Sequence, residues 1–461
     1  MTSAEKRPRA LWTRVPVLLV VLGIGVLFFG LVTKGTFNPF HRLGLRAVFF
    51  EDQARSLLHG HLWVTSESID GEAIISNGHP YGYFGIVPAL LRVPMMALFP
   101  NAPAGVWWPY WWPYLATWYF TAAFALEALC AIGLARWCTR QVRRIRGWSA
   151  PLWDALGEAG LVAAILGSST LFLTARVYPY EEAILWGVAF ALATVWSLLL
   201  LHETGRIRYA VLAGIGAIGT IGSRPTVGAG AVVAMLCFIP VVWRRRAAVY
   251  TLAVGAATAL ASYCLVTELK FGTLLSPPWQ NNIQYANSPQ RLALVKAGAS
   301  SVRYIPTTML QYLRPDTVHF MLAFPWVAPR MPIFHPVLNI GNVRFDGIEA
   351  TSSITATMPL LCTLGVIGIV WLVRSGPLRA LAVGGLVGAG TTTSFFGMSN
   401  RYLSDFVPFL VTAAIAGIVV FRCWTPRKRA VKIGGIALLL VLGVWGVYVN
   451  AAFAGQFNGV P

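Results

Sequence analysis

The segment "RAVFFEDQARSLLHGHLWV", residues 46–64, sets two carboxylates, Glu51 and Asp52, directly behind two phenylalanines. At 3.6 residues per turn, with Phe50 at the centre of an apolar face, Ala47, Ala54, Leu57 and Leu58 lie within about a quarter turn of it. Glu51 then sits at the edge of that face and Asp52 points nearly opposite. A helix patterned this way lies along a membrane surface with its apolar face down, which puts Glu51 where lipid meets water. A carboxylate in such a half-buried place has a raised pKa and suits general-base work near neutral pH. The plainer reading is an ion pair with Arg55, one helical turn on.

The rest of the chain supplies the membrane. Of its 461 residues 56% are hydrophobic and only 11% charged, which is too apolar for a soluble globular domain. Apolar runs near 15–33, 114–135, 155–174, 183–201, 209–222, 227–243, 247–266, 353–373, 380–397, 406–421 and 433–450 are candidate crossings. The expected fold is therefore an all-α polytopic membrane protein, one integral membrane domain over 1–461 with about 11 transmembrane helices (10–13) and outward juxtamembrane helices. The formal net charge of +19 does not form the single stripe that nucleic acid requires. It falls in clusters between the runs: "RWCTRQVRRIRGW" (136–148), "HETGRIRY" (202–209), "WRRR" (243–246), "RSGPLR" (374–379) and "RCWTPRKRAVK" (422–432). All lie on the side of the N-terminal "EKRPR", which the positive-inside rule makes cytoplasmic in a plasma membrane.

The first run is followed by "KGTFNPFHRLG", with no small-residue cleavage site, and is read as an anchor. "GIVPALLRVPMMALF" (85–99) holds Arg92 and two prolines. Crossing alone, it would put the arginine-rich loop at 136–148 outside. It is expected to dip into the outer leaflet, or to cross together with "VWWPYWWPYL" (106–115). Six cysteines lie in or beside apolar runs with no CxxC spacing, which indicates packing rather than a disulfide framework or a zinc site.

With this topology the polar material collects outside, in a first loop at 34–84 and a large loop at 267–352. Shorter outward turns are "ARVYPYEEA" (175–183), "GSRPTVG" (222–228) and "SNRYLSD" (399–405), each with an arginine. Arg224 and Arg401 stand at the outer ends of spans, where a phosphate head group would lie, and guanidinium is shaped to hold one. They suit snorkelling anchors equally well. Glu181 and Glu182, after Tyr180, form either the far wall of a cleft or an exposed acidic break between helices. His59, His61 and His79 raise a divalent metal with Glu51 and Asp52, but His-x-His alone is an incomplete ligand set, so no metal is favoured. Residues 288–315 alternate basic and apolar positions, as an interfacial helix does. Asp316, Asp346 and Glu349 receive no role.

Beyond the opening helix the chain runs "TSESIDGEAIISNGHPYGYFGIVPALLRVP" (65–94): a turn at Asn77-Gly78, alternating Tyr81 and Tyr83, then a proline-containing apolar helix. The order of an acidic juxtamembrane helix, a Leu-Leu-x-Gly-x-Leu turn, an acid-containing loop, Gly-x-x-Tyr-x-Tyr-Phe-Gly and Pro-Ala-Leu-Leu-Arg-x-Pro resembles bacterial members of the GT-C glycosyltransferase superfamily. The resemblance covers the first hundred residues best, with echoes in "SRPT", "KFGTLLSPPWQNN" and "SNRYLSDFVP". It implies an inverting transfer of sugar from a polyprenyl-phosphate donor to an envelope glycan, lipid or protein acceptor on the outer face, without a cofactor. By resemblance the catalytic base is Glu51 or Asp52, with Glu72 in "IDGEAII" as a third acid that positions the acceptor. Arg224, Arg401 and Tyr402 are the expected donor-phosphate ligands, and Tyr81, Tyr83, Tyr180, Glu181 and Glu182 the expected cleft lining. The rival reading is a transporter or flippase of envelope precursors, for which Glu127, inside "FALEALCAIG", is the one ionisable residue in mid-span.

Overall fold

The computed structural model describes residues 14–40, 45–98, 115–330, 338–425 and 428–458, without the side chains of residues 45 and 46. Its longer helices are α1 (Val15–Val32), α2 (Phe49–Leu58), α3 (Val87–Leu98), α4 (Leu115–Arg146), α5 (Pro151–Leu166), α6 (Pro179–Thr204), α7 (Arg208–Ile221), α8 (Pro225–Phe238) and α9 (Arg246–Phe271). Then come α10 (Pro289–Lys296), α11 (Ile305–Leu313), α12 (Pro359–Arg374), α13 (Gly376–Thr393), α14 (Val407–Cys423) and α15 (Arg429–Asn458). Proline opens several of them at the first helical position, where the missing N–H has no partner to lose.

Each of the eleven apolar runs falls on a helix. Among the described residues eight helices are long and apolar enough to cross a membrane alone. The other three runs behave differently. α12 and α13 pass the same test only together and are bent by 119° at their junction, and α7 has 14 residues, about 21 Å of helix. In the core, small residues let backbones touch: a Cβ at Gly417 of α14 would run into the Leu364 carbonyl of α12.

The two ends of the bundle differ in chemistry. At one end the basic clusters meet buried acids: Arg143 binds Asp154 at 2.8 Å, Arg140 and Arg144 bind Glu203 at 2.9 and 2.7 Å, and Arg422 also reaches Asp154. At the other end the polar loops assemble on one another. Strands β1 (Ile74–Ser76) and β2 (His79–Tyr81) form a hairpin whose turn, Asn77 and Gly78, takes φ of 49° and 78°, as a type I′ turn demands. The long loop docks on it, with the Ile283 amide donating to the Ala73 carbonyl at 3.0 Å and Asn282 Nδ2 to the Glu72 carbonyl at 2.9 Å. It also reaches the turn before α14, where Phe396 N donates to Ala299 O at 3.0 Å.

Two expectations are corrected here, for α2 and for residues 288–315. α2 does not lie on a surface: Phe49 through Ala54 are all buried, the acids included, because α3 and the turn at 65–69 cover its other faces. The segment 85–99 holds a 12-residue helix, α3, about 18 Å long and too short to cross. Its Arg92 is fully buried. Residues 288–315 do not form one helix but break into α10, a 3-10 turn at Val302–Tyr304 and α11. The stretch 106–114 lies outside the described residues.

Candidate active site

The first turn of α6 divides the loop end into two halves, because its consecutive glutamates face different arginines. Glu182 receives both guanidinium nitrogens of Arg92, Nη1 at 2.6 Å and Nη2 at 2.9 Å. Arg92 also donates to the Pro88 carbonyl at 3.0 Å and lies over the Tyr119 ring at 4.0 Å. Such a bidentate pair, with both partners out of water, holds only if its geometry is near ideal.

Glu51 sits beside this pair and is only 5% exposed. Its Oε1 has no hydrogen-bond partner among the described residues. Burial pushes its carboxyl up to about 7; Arg92, Arg55 and the Ala116 amide at the start of α4 pull it down, and Glu182 adds to the rise. Asp52 is used differently. Its Oδ2 accepts from the Thr65 amide at 2.7 Å, the Thr65 hydroxyl at 2.8 Å and the Ser68 hydroxyl at 2.8 Å, which ties α2 to the turn at 65–69.

The second half is an aromatic cleft around Arg401. Its guanidinium lies over the Tyr180 ring at 4.6 Å and the Tyr402 ring at 5.4 Å, while Glu181 stands 3.7 Å away and Glu349 3.3 Å away. Arg401 Nε is buried and finds no acceptor among the described residues. Behind it, Arg224 binds Asp405 through Nη2 at 2.8 Å and through Nε at 3.2 Å, and also faces the Tyr402 ring at 5.1 Å. Thr226 and Thr392 donate to the same Asp405 oxygen, at 3.1 and 2.5 Å. Glu72 faces the cleft from the first loop, taking hydrogen bonds from Gln284 Nε2 at 3.1 Å and the Tyr83 hydroxyl at 3.2 Å. Burial, with Tyr180 and Glu72 close by, holds the Tyr83 phenol well above its ordinary range. Trp279 packs 4.8 Å from Tyr83 and closes the wall. Phe84 joins the halves: its ring meets Phe49 of α2 at 5.1 Å and Tyr180 of α6 at 4.8 Å.

No protein-family model matches the chain, and no curated protein does either. Solved structures do. The archaeal oligosaccharyltransferase AglB from Archaeoglobus fulgidus, in complex with an inhibitory peptide and a dolichol-phosphate, superposes with a TM-score of 0.52 at 12% identity. That match covers 97% of this chain and 56% of AglB, so the chain spans little more than half its length. ArnT from Cupriavidus metallidurans, bound to undecaprenyl phosphate, gives 0.50 at 13% identity over 97% of this chain and 78% of ArnT. Both are GT-C proteins. The chain has the GT-C fold.

Within this GT-C fold the structure brings together Glu72, Tyr83, Tyr180, Glu181, Arg401, Tyr402 and Arg224 around the aromatic cleft. It turns Glu182 to the Glu51 side, so the expected acidic wall is split between the halves. Tyr81 packs edge-on against Phe271 of α9 at 5.9 Å, in a small cluster on which Tyr83 and Trp279 also rest. Among the described residues no group of three or more His, Cys, Asp or Glu side chains converges as metal ligands do. Instead His59, His61, Trp63 and His79 stack ring on ring. Sequence reasoning missed Arg92 as a site residue, and with it Asp405, Glu349, Gln284 and Trp279. For Arg92 there was a signal: an arginine in an apolar helix needs an acid, although its spacing in the chain does not say which.

Proposed function

We propose that the chain is a glycosyltransferase that moves a sugar from a polyprenyl-phosphate donor to an envelope glycan, lipid or protein acceptor. The observation that carries this reading is a pair of buried groups on either side of the start of α6 that have no hydrogen-bond partner among the described residues: Glu51 Oε1 and Arg401 Nε. One is a carboxyl poised near neutrality, the other a guanidinium N–H with no acceptor among the described residues. The GT-C fold, seen with dolichol-phosphate in AglB and undecaprenyl phosphate in ArnT, supports a lipid-phosphate donor.

In this reading Glu51 takes the proton of the acceptor hydroxyl as that oxygen attacks the anomeric carbon. The bond from the anomeric carbon to the phosphate oxygen breaks, and polyprenyl phosphate leaves with the electron pair, unprotonated. Direct attack inverts the anomeric centre. Arg401, with Arg224 behind it, meets the charge on the leaving phosphate. Asp52, already committed to Thr65 and Ser68, positions α2 rather than acting as the base. Glu72, beside Gln284 and the aromatic wall, positions the acceptor. The basic end of the bundle is assigned to the cytoplasm and the cleft to the outer face of the plasma membrane.

The test is transfer by the full chain in nanodiscs, offered a panel of polyprenyl-phosphate sugars with an envelope acceptor fraction, scoring sugar transfer and polyprenyl-phosphate release together. Turnover that persists in EDTA and is lost in Glu51→Gln is expected. Full activity in Glu51→Gln moves the base to Glu72. Absence of turnover with every donor favours the second reading, a proton-coupled transporter built on Glu127, whose Oε1 takes the Thr170 hydroxyl at 3.0 Å while Oε2 is unpartnered among the described residues.

A further inference from the structure

The long polar segment contains a short hairpin with an exposed apolar tip. Strands β3 (Val318–Phe320) and β4 (Val327–Pro329) pair antiparallel, Phe320 opposite Val327, and carry a tip whose side chains point out of the protein. Phe320, Leu322, Phe324 and Trp326 are all exposed, Leu322 completely. Charge is confined to the open base. There Asp316 binds Arg314 at 2.5 Å and Arg330 at 2.8 Å, while the chain between Asp316 and Arg330 carries no Asp, Glu, Lys or Arg.

The hairpin lies along α15, the helix whose outer face, with Leu440, Val441 and Val444, is bare of protein among the described residues. Gln456 Nε2 donates to the Val327 carbonyl at 2.6 Å, on the rung that Val327 shares with Phe320. Its tip reaches back along the helix: the Phe320 ring is 6.0 Å from that of Trp445, and the Tyr448 hydroxyl donates to the Pro325 carbonyl. These contacts give the depth. Lys432 is the last charged residue of α15. Trp445, Tyr448 and Gln456 follow it by about 20, 24 and 36 Å of helix. A hydrocarbon core of about 30 Å measured from Lys432 therefore ends between Tyr448 and Gln456. The contacts of Phe320 and Pro325 lie below that boundary and that of Val327 above it, so the hairpin meets the boundary at the rung of Phe320 and Val327, with the tip on the hydrocarbon side.

Backbone can enter hydrocarbon only when its polar groups are satisfied. Here that holds for part of the tip: the Met321 amide donates to the Trp326 carbonyl at 2.8 Å and the Trp326 amide to the Ala323 carbonyl at 2.7 Å, and Pro325 and Pro329 have no N–H, while the Leu322, Ala323 and Phe324 amides have no backbone acceptor among the described residues. We propose that residues 318–329 are a bilayer-inserted hairpin whose partner is the acyl chains of the leaflet on the polar-loop side. It continues the lipid-facing surface of α15. It pins to the membrane the same segment that delivers Gln284 and Glu349 to the cleft. The inference does not depend on the proposed activity.

The experiment places an environment-sensitive NBD label at Leu322→Cys in the full chain, reconstituted in nanodiscs. Two references are read beside it, Val444→Cys on the outer face of α15 and Asn287→Cys, exposed on the polar segment. Background from the native cysteines is taken from the parent chain. Expected is blue-shifted emission at position 322, quenched by chain-nitroxide lipids as at position 444 and protected from aqueous iodide. Quenching by iodide as at position 287 overturns the proposal in favour of a hairpin in water. Protection from both quenchers overturns it in favour of a protein partner.

Discussion

Replacing Glu51 by Gln separates the chemistry of this carboxylate from its packing. Burial holds its carboxyl at about 7 in the folded chain against an ordinary 4.5. The folded protein therefore binds this proton more tightly than the unfolded chain does. Ionised Glu51 opposes folding: the penalty is absent below the unfolded value, grows as pH rises, and is complete above the folded value. The gap corresponds to about 3 kcal/mol. Glutamine, matching the protonated acid in shape, carries none of it. Thermal unfolding of Glu51→Gln and wild type in one detergent, from about pH 4 to about pH 8, should show the variant gaining on wild type by about 3 kcal/mol. Over the same range sugar transfer by wild type should fall about tenfold per pH unit below 7, and the variant should lose about 10²–10⁴ in rate. Stability and activity would thus move in opposite directions at one atom. Unfolding curves that stay parallel at every pH, or a wild-type rate that is flat from about 5 to 8, would refute the assignment.

Two further substitutions address the arginines. Arg92→Met leaves Glu182 buried without its cation and is expected to lower stability by about 3–5 kcal/mol, most of which the double variant Arg92→Met/Glu182→Leu should recover in denaturation measurements. Arg401→Lys keeps the charge but loses the planar fork held between Tyr180 and Tyr402. It should raise KM for the donor roughly tenfold with a smaller change in kcat, read from initial rates against donor concentration.

How legible this was depended on the range of the forces involved. Spans follow from local hydropathy, and all eleven runs appeared as helices. The Asn77-Gly78 turn was legible too, because its backbone demand falls on two adjacent residues. The burial of Glu51 and Asp52 was not. A ten-residue helix shows one apolar face, but what covers its other faces is a turn 13 residues on and a helix beyond that. The same holds for Arg224, recognisable as an arginine at a helix start, whose partner Asp405 lies 181 residues away. Tyr81 and Tyr83 look equivalent in an alternating string. The contacts that send one to Phe271 and the other to Glu72 come from α9 and from the helix start at Pro179.

Glu181 and Glu182 occupy adjacent positions on one rigid turn, about 100° apart around α6. Neither can be moved by itself. A lipid phosphate that draws Arg401 off Glu181 pulls on the turn that also steadies Arg92, and so on the field felt at Glu51. The two halves of the site thus share a lever, and the expected consequence is timing: the proton affinity of the base changes when the donor is seated. In the empty site Glu51, held at about 7, would be only partly ionised at neutral pH and so a weaker activator of water. A pair of neighbouring acids, unremarkable in a sequence, would in this way keep the sugar from being spent on solvent.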